Sequence, residues 1–231
     1  MPGHVPQPPA VHLRPHAPVA ERVLVPGDPG RALRLAQWLL DGPKMLNHHR
    51  GLWGYTGAAA DGRPLTIQST GLGGPSAAVV VEELIALGAQ RLVRVGTAGA
   101  LAGGLGLGEL VVAGEVRGED GASRALGAPA RQAPDEALTR ALAAATGGAA
   151  RPVVSTDLFY EPDPARRAGW AAEGAVAVDL EAAAVLAVAA RRGIAAACVL
   201  AVTAAGGRRI DEDGLAAAEQ ELGRVALAAM S

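Results

Sequence analysis

Three arginines stand at or beside glycine-containing turns in this sequence: Arg31, Arg50 and Arg94. A guanidinium group binds planar oxyanions through two parallel hydrogen bonds, and phosphate is the usual occupant of such sites. Arg94 lies inside an apolar strand between Val93 and Val95, where a buried cation needs an anion. The three together predict an oxyanion site, although Arg31 and Arg50 taken singly also fit surface or salt-bridge roles.

Two carboxylates, Asp179 and Glu181, occur in one of the least polar parts of the sequence. They fit the start of the following helix, where acidic residues are favourable, and they fit equally a site that accepts hydrogen bonds from a polyhydroxylated ligand. Phe159 and Tyr160 have two interpretations as well. One is burial in the core, and the other is stacking on a flat heterocycle.

Two weaker patterns carry no site. His48 and His49 are adjacent and therefore point in different directions, and no nearby cysteine or carboxylate completes a zinc spacing. The turn at 71–74 resembles a dinucleotide-binding loop, but Ser76 stands where G-x-G-x-x-G has its third glycine.

The elements that must position these groups centre on residues 69–101. An apolar run at 65–67 is followed by glycines, a helical pattern after Pro75 and a second apolar run at 92–95. This is a strand–helix–strand unit, so its strands should be parallel, with both glycine turns at carboxyl ends where ligands bind. The second strand is expected to stop at Gly96.

The remaining chain alternates strand and helix patterns, which favours an α/β fold with a mostly parallel sheet. Strands are expected at 22–25, 110–113, 151–155, 176–178 and 196–202, and helices at 32–40, 135–145, 182–192 and 215–230. Residues 47–57 are expected to form a hairpin, 114–134 a surface excursion and 204–214 a loop.

The length, composition and net charge limit the possible classes of protein. A chain of 231 residues with no charge run or low-complexity linker is expected to form a single domain at 21–231, preceded by a proline-rich extended arm at 1–20. No apolar stretch reaches the roughly 18 residues of a membrane span, and the first 20 residues lack the apolar block of a signal peptide. The net charge of −2 gives no support for nucleic acid as a partner, and a single cysteine, Cys198, fits a reducing compartment.

Six segments together resemble the hexameric nucleoside phosphorylases, the family of bacterial purine nucleoside phosphorylase and uridine phosphorylase. They are VLVPGDPGRA (23–32), NHHRGLWGYTG (47–57), STGLGGPSAAVVVEELIALGA (69–89), LVRVGTAGAL (92–101), STDLFY (155–160) and VDLEAAAV (178–185). They occur in the family's order.

The resemblance implies a role for each matched residue. Phosphate would be bound by Gly27, Arg31, Arg94 and Thr97, with Arg50 reaching into the adjacent subunit's site. The ribose would be bound by Glu181 at its 2′- and 3′-hydroxyls, by Leu180, where the family usually has Met, and by His12 from across the same interface. The base would lie against Phe159, Val178 and Asp179. Arg94, Glu181 and Arg31 would be the catalytic groups.

The resemblance favours the purine branch, because no Gln-x-Arg that would read uracil follows Tyr160. One departure affects the chemistry. Purine enzymes of the family usually carry Ser-Asp after the last strand, and the Asp protonates the departing base. Here Thr203 and Ala204 occupy those positions, so either 6-oxopurines or another base are preferred, or an acid comes from elsewhere, with Asp211 and Asp213 as candidates. Loss of a general acid costs roughly 10²–10⁴-fold in rate.

The resemblance also implies a three-layer α/β/α fold with a mixed, partly closed sheet, and a cytoplasmic salvage enzyme that needs no cofactor or metal besides phosphate as co-substrate. It implies a dimer with shared active sites, assembled into a homohexamer, without membrane or nucleic-acid partners. The alternatives are a uridine phosphorylase, a nucleosidase that uses water, and a nucleoside-binding homologue that is catalytically impaired at Ala204.

Overall fold

The computed structural model describes residues 9–101 and 103–231. Eleven strands of the described chain join in one mixed sheet. Their bounds are β1 Arg22–Val25, β2 Leu40–Asn47, β3 Gly54–Ala59, β4 Pro64–Gln68, β5 Arg91–Ala100, β6 Leu110–Glu119, β7 Arg131–Gln132, β8 Arg151–Thr156, β9 Ala177–Asp179, β10 Ala195–Ala205 and β11 Arg208–Arg209.

Seven α-helices of the described chain cover the two faces of this sheet. Their bounds are α1 Pro29–Leu39, α2 Gly74–Ala86, α3 Gly121–Ala125, α4 Glu136–Thr146, α5 Pro164–Ala172, α6 Ala182–Arg192 and α7 Glu212–Ala229. Helix α2 packs against α6 on one face, and α7 packs against α1 and α4 on the other. The large apolar core is accordingly split into two clusters, one on each side of the sheet.

The sheet closes on itself in its central part. The strand order is β11-β10-β6-β8-β9-β5-β1-β4-β3-β2, and β10 also pairs with β5. Strands β5, β9, β8, β6 and β10 therefore form a closed ring, while β1 to β4 extend from it as an open sheet. The expected three-layer α/β fold with a mixed, partly closed sheet is confirmed.

The unit formed by β4, α2 and β5 is parallel, as expected, with β1 inserted between its two strands. Because β1 and β4 run in the same direction, their following turns meet at one edge of the sheet. Thr70 and Gly71 donate their N–H groups to the carbonyls of Pro26 and Gly27 at 2.8 and 3.0 Å. The two glycine-containing turns are thus joined directly.

Strand β5 does not stop at Gly96, so that expectation is wrong. Residues 91–99 of β5 are in parallel register with 195–204 of β10, and this ladder carries the strand on to Ala100. A Cβ on Gly96 would lie 2.7 Å from Nη2 of Arg94. Cδ2 of Leu200 would be equally close, so glycine is required there by the packing of these two side chains, and no turn is involved.

The expected surface excursion at 114–134 is also wrong. Strand β6 continues to Glu119, α3 follows, and β7 pairs with β6 through Val116 and Gln132. Pairing between β6 and β7 stabilises this segment. Its many glycine and alanine residues have low β-propensity, so the sequence gives no signal of the strands.

The chain before β1 is held against the domain. Its described residues contain no helix or strand, yet Leu13 is buried. The backbone N–H groups of His12 and Leu13 donate to Oε2 of Glu83 in α2 at 2.9 and 2.6 Å. The predicted arm at 1–20 stays a prediction, and its first eight residues lie outside the described chain.

Within 9–101 and 103–231, no helix is both long and apolar enough to cross a bilayer.

Candidate functional site

A cavity of about 490 Å³ opens where β1, β5 and β10 end. Nine of the eleven predicted site residues line it, namely Gly27, Arg31, Arg94, Thr97, Phe159, Val178, Asp179, Leu180 and Glu181. The fold therefore brings together residues that lie up to 154 positions apart in the sequence, from 27 to 181.

Arg94 forms the buried floor of the cavity. Its position in the sheet lies between Val25 of β1 and Cys198 of β10. Its Nε donates to Oδ2 of Asp179 at 2.8 Å, and its Nη2 donates to Oε2 of Glu181. Burial acts to lower the pKa of this guanidinium, but the charges of Glu181 and Asp179 outweigh it, so the pKa is raised and the cation persists.

The anion that the burial of Arg94 requires is thus supplied within the protein, by Asp179 and Glu181. One donor remains unused, because Nη1 of Arg94 is buried and has no hydrogen-bond partner among the residues that the structure describes. A buried unpaired donor carries a desolvation cost of about 1–3 kcal/mol. A hydrogen-bond acceptor that reached Nη1 would remove that cost.

Glu181 is the residue that precedes α6, but its side chain makes no capping bond to that helix. Its Oε1 instead accepts from the backbone N–H of Gly73 at 2.6 Å, across the entrance to α2. The side chain is 6% exposed. A carboxylate has about four acceptor positions, so Glu181 can still accept from a ligand.

Asp179 caps the start of α6, which is one of the two roles expected for it. It accepts from the N–H of Ala182 at 3.0 Å and from Oγ of Ser155 at 2.5 Å. The Ser155 hydroxyl itself accepts from the N–H of Ala183 at 2.9 Å. Asp179 therefore fixes the direction of Arg94 while lining the cavity.

Arg31 reaches the cavity from the first turn of α1. Asp28 caps that helix by accepting from the N–H of Arg31 at 2.6 Å. The guanidinium is buried, and its Nε donates to Oε1 of Glu219 at 2.9 Å. Glu219 also pairs with Arg34. Sequence reasoning missed Glu219, because it lies 188 residues away on α7.

Phe159 and Tyr160 are exposed, at 52% and 87% of their surface. The interpretation that they belong to the core is therefore wrong. The two rings contact each other edge to face, with centroids 5.0 Å apart. Together with Val178 and Leu180 they give one side of the cavity an apolar, aromatic wall.

His12 and Arg50 do not line this cavity. Nδ1 of His12 lies 2.7 Å from Oε1 of Glu83, and the backbone carbonyl of His12 contacts Nδ1 of His49 at 3.0 Å. Arg50 is exposed and adopts a positive φ of 59°. Both residues therefore belong to one surface region, away from the cavity of their own chain.

Ala204 lines the cavity, whereas the two candidate replacement acids do not. Asp211 is exposed and caps α7 by accepting from the N–H of Gly214 at 2.8 Å. Asp213 is exposed in the first turn of the same helix. Neither contributes a carboxyl group at the apolar wall.

Two further cations line the cavity that sequence reasoning did not select, Arg167 of α5 and Arg209 of β11. Arg209 lies in the segment expected to be a loop. Gly206 and Gly207 have φ values of 55° and 75°, which is the geometry of a two-residue hairpin turn. The Gly-Gly pair after a strand was the signal that could have revealed β11.

The arrangement can bind an anion and a hydroxylated group side by side. Arg94 and Arg31 supply fixed positive charge, Glu181 supplies acceptor oxygens next to Arg94, and the aromatic wall can hold a flat apolar group.

The family model described as "Phosphorylase superfamily" matches residues 21–231 of the chain. The "Purine nucleoside phosphorylase DeoD-type" of Caldanaerobacter subterraneus is 34% identical over 197 residues, which is 80% of this chain and 83% of that protein. The "Guanosine phosphorylase" of Halorubrum lacusprofundi is 37% identical over 190 residues, 80% of this chain and 78% of that protein. The "Purine nucleoside phosphorylase DeoD-type" of Clostridium perfringens is 35% identical over 197 residues, 80% of this chain and 82% of that protein.

Proposed function

Because the chain belongs to the phosphorylase superfamily, we propose that it is a purine nucleoside phosphorylase, a pentosyltransferase. It exchanges the base of a purine ribonucleoside or deoxyribonucleoside for phosphate and releases the free base and the pentose 1-phosphate. The names of its relatives, which specify purine nucleosides and guanosine, support the purine branch.

The single observation that carries this proposal is the convergence of Arg94, Arg31 and Glu181 on one cavity, with Nη1 of Arg94 left without a hydrogen-bond partner among the described residues. Arg94 lines this cavity together with Arg31 and the turn at Gly27, so their donors can bind the oxygens of a phosphate group there. Glu181, bound to the same guanidinium, places the sugar hydroxyls directly beside that region.

Catalysis follows from this placement. Phosphate held under C1′ attacks while positive charge grows on the sugar ring, so the cations orient the nucleophile and Glu181 stabilises the oxocarbenium-like centre. Positioning of this kind can contribute roughly 7–11 kcal/mol to the lowering of the barrier. Phe159 and Val178 line the part of the cavity where the base is held, Leu180 lines it beside the ribose, and Thr97 lines the phosphate region.

The proposal includes a dimer in which His12 and Arg50 complete the partner's site, arranged as a homohexamer. It is supported by the exposure of Arg50 and by its position away from the cavity of its own chain. The single, buried Cys198 supports action in a reducing compartment such as the cytoplasm, in nucleoside salvage.

A substrate panel tests the activity. Inosine, guanosine, adenosine and uridine are incubated with and without phosphate, and free base and pentose 1-phosphate are measured. We expect phosphate-dependent release of purine bases. Base release without phosphate would indicate a nucleosidase, turnover of uridine alone a uridine phosphorylase, and binding without turnover a catalytically impaired homologue. Any of these three results would overturn the proposal.

Mixed oligomers test the shared site. Arg50→Ala and Glu181→Gln should each be nearly inactive, but co-expression should restore roughly a quarter of the sites, because one site of each mixed dimer has both wild-type groups. The matched control pairs Arg31→Ala with Glu181→Gln. These two lesions affect the same chain's site, so no restoration is expected. Equal behaviour of the two mixtures would refute a shared site.

A further inference from the structure

We propose that Arg209 selects the base: its guanidinium donates to O6 and N7 of a 6-oxopurine and stabilises the negative charge of the departing base. This inference rests on the proposed phosphorylase activity and adds to it the residue that determines which purine is used.

Arg209 lies beside Ala204 in the sheet. Arg209 of β11 is directly paired with Ala204 of β10 in antiparallel register. Side chains of directly paired residues lie on the same face, with Cβ atoms about 4.5–5.5 Å apart. Both residues line the cavity. The hairpin therefore places a guanidinium beside the position where the family carries its acid.

Phe159 keeps the guanidinium at the apolar wall. The Cζ atom of Arg209 lies 5.6 Å from the centroid of the Phe159 ring, which is within the distance of a cation–π contact. Within 9–101 and 103–231, Arg209 forms no ion pair with a carboxylate. Its charge is therefore available to a ligand that lies against the wall.

The carboxylates that line the cavity are committed elsewhere. Asp179 and Glu181 are paired with Arg94, and Asp28 caps α1. Since Asp211 caps α7 and lies outside the cavity, the wall offers the base a permanent cation in place of an acid.

This chemistry discriminates between purines. A guanidinium binds the O6 and N7 acceptors of guanine through two parallel hydrogen bonds, and hypoxanthine presents the same pair. Adenine presents N7 together with an amino group, which is a donor and repels a second donor.

The bond between sugar and base can break without an acid from the protein. As the phosphate oxygen bonds to C1′, the C1′–N9 bond breaks and its electron pair stays on the base. The base leaves as an anion whose charge is shared by N9, N7 and O6, and it takes a proton from water afterwards. Arg209 remains protonated throughout, because arginine is not deprotonated in proteins.

The test compares kcat/KM for inosine, for purine riboside, which lacks O6, and for adenosine, all at saturating phosphate. Arg209→Ala should reduce the value for inosine by about 5- to 150-fold, the equivalent of one bidentate base contact. The loss should be smaller for purine riboside and smallest for adenosine. Arg208→Ala is the matched control, since it removes the same charge from the neighbouring residue, which does not line the cavity. It should leave all three values unchanged.

Arg209→Lys keeps the positive charge but cannot form two parallel hydrogen bonds, so it should give an intermediate loss of kcat/KM for inosine. Thermal unfolding of each variant separates this effect from misfolding. Equal losses on all three nucleosides, a raised KM for phosphate, or a wild-type preference for adenosine would overturn the inference. A wild-type protein without phosphate-dependent base release from any nucleoside would instead overturn the proposed function itself.

Discussion

Nη2 of Arg94 donates to Oε2 of Glu181. The residue predicted to bind phosphate and the residue predicted to bind ribose therefore form one buried ion pair. Asp179 binds the same guanidinium through Nε. Since one cation holds two carboxylates, any change at Arg94 affects stability as well as binding.

Arg94→Ala should therefore destabilise the protein by about 3–5 kcal/mol, the cost of leaving buried charge unpaired. Adding Asp179→Asn should recover part of that loss, because one of the two unpaired carboxylates is removed. Urea unfolding of both single variants and the double variant measures this coupling. If Asp179→Asn changes the stability of Arg94→Ala by the same amount as it changes that of the wild type, the pair has no energetic coupling.

Glu219→Gln should raise the KM for phosphate about 5- to 10-fold, because a neutral partner holds Arg31 less firmly than a charged one. The KM for the nucleoside should change less. Arg34→Ala is the control, since Arg34 shares Glu219 but lies outside the cavity. Steady-state kinetics with varied phosphate make the measurement, and a rise of the same size in Arg34→Ala would contradict a positioning role for Glu219.

Ala204→Asp should increase kcat/KM for adenosine by tenfold or more, since a general acid contributes roughly 10²–10⁴-fold. The charge of Arg209 lowers the pKa of the new carboxyl group, so its protonated fraction, and with it the gain, should increase as the pH falls. Adding Arg209→Ala should extend the gain to neutral pH. The pH–rate profiles of the single and double variants decide this, and no gain even at pH 5 would exclude an acid role at this position.

Asp61→Asn should lower stability at neutral pH, and most of this effect should be lost near pH 2. Both terminal nitrogens of the buried Arg22 donate to Asp61 at 2.6 Å. These bonds, with the N–H of Arg63, lower the pKa of Asp61 to about 2. A lowered pKa stabilises the fold above the ordinary pKa of aspartate, and this contribution is lost as the pH falls from about 4 to 2.

Urea unfolding of wild type and Asp61→Asn at pH 7, 4 and 2.5 checks this window. Asp41→Asn, which changes an exposed carboxylate on β2, should leave stability unchanged throughout. A difference between wild type and Asp61→Asn that is as large at pH 2.5 as at pH 7 would contradict the assignment.

Local patterns identified most of the elements and the residues that line the cavity. The glycine turns, the apolar run around Arg94 and the segment at Asp179 and Glu181 all have signals within ten residues. Long-range pairing was not predictable in this way. Nothing near Arg31 in the sequence indicates Glu219. Gly96 resembles a strand end, but the side chains of Arg94 and Leu200 require a glycine there, and its own backbone does not.

The interpretation of Arg94 shows the same limit. Sequence alone implied an external anion for a buried cation, whereas the fold brings two carboxylates to it from a segment 85 residues away. The number of ligands around a buried charge depends on tertiary contacts, and only the leftover donor Nη1 points to a bound partner.

The two halves of the cavity differ in how firmly the sheet holds them. Arg94 lies in a strand paired on both sides within a closed ring, where a shift of one residue would break several ladders at once. Arg209 sits on a strand of two residues attached along one edge. With the roles proposed for Arg209 and Arg94, substitutions in that hairpin would change the preferred base during evolution with little loss of stability, while the part of the cavity around Arg94 would tolerate almost no redesign.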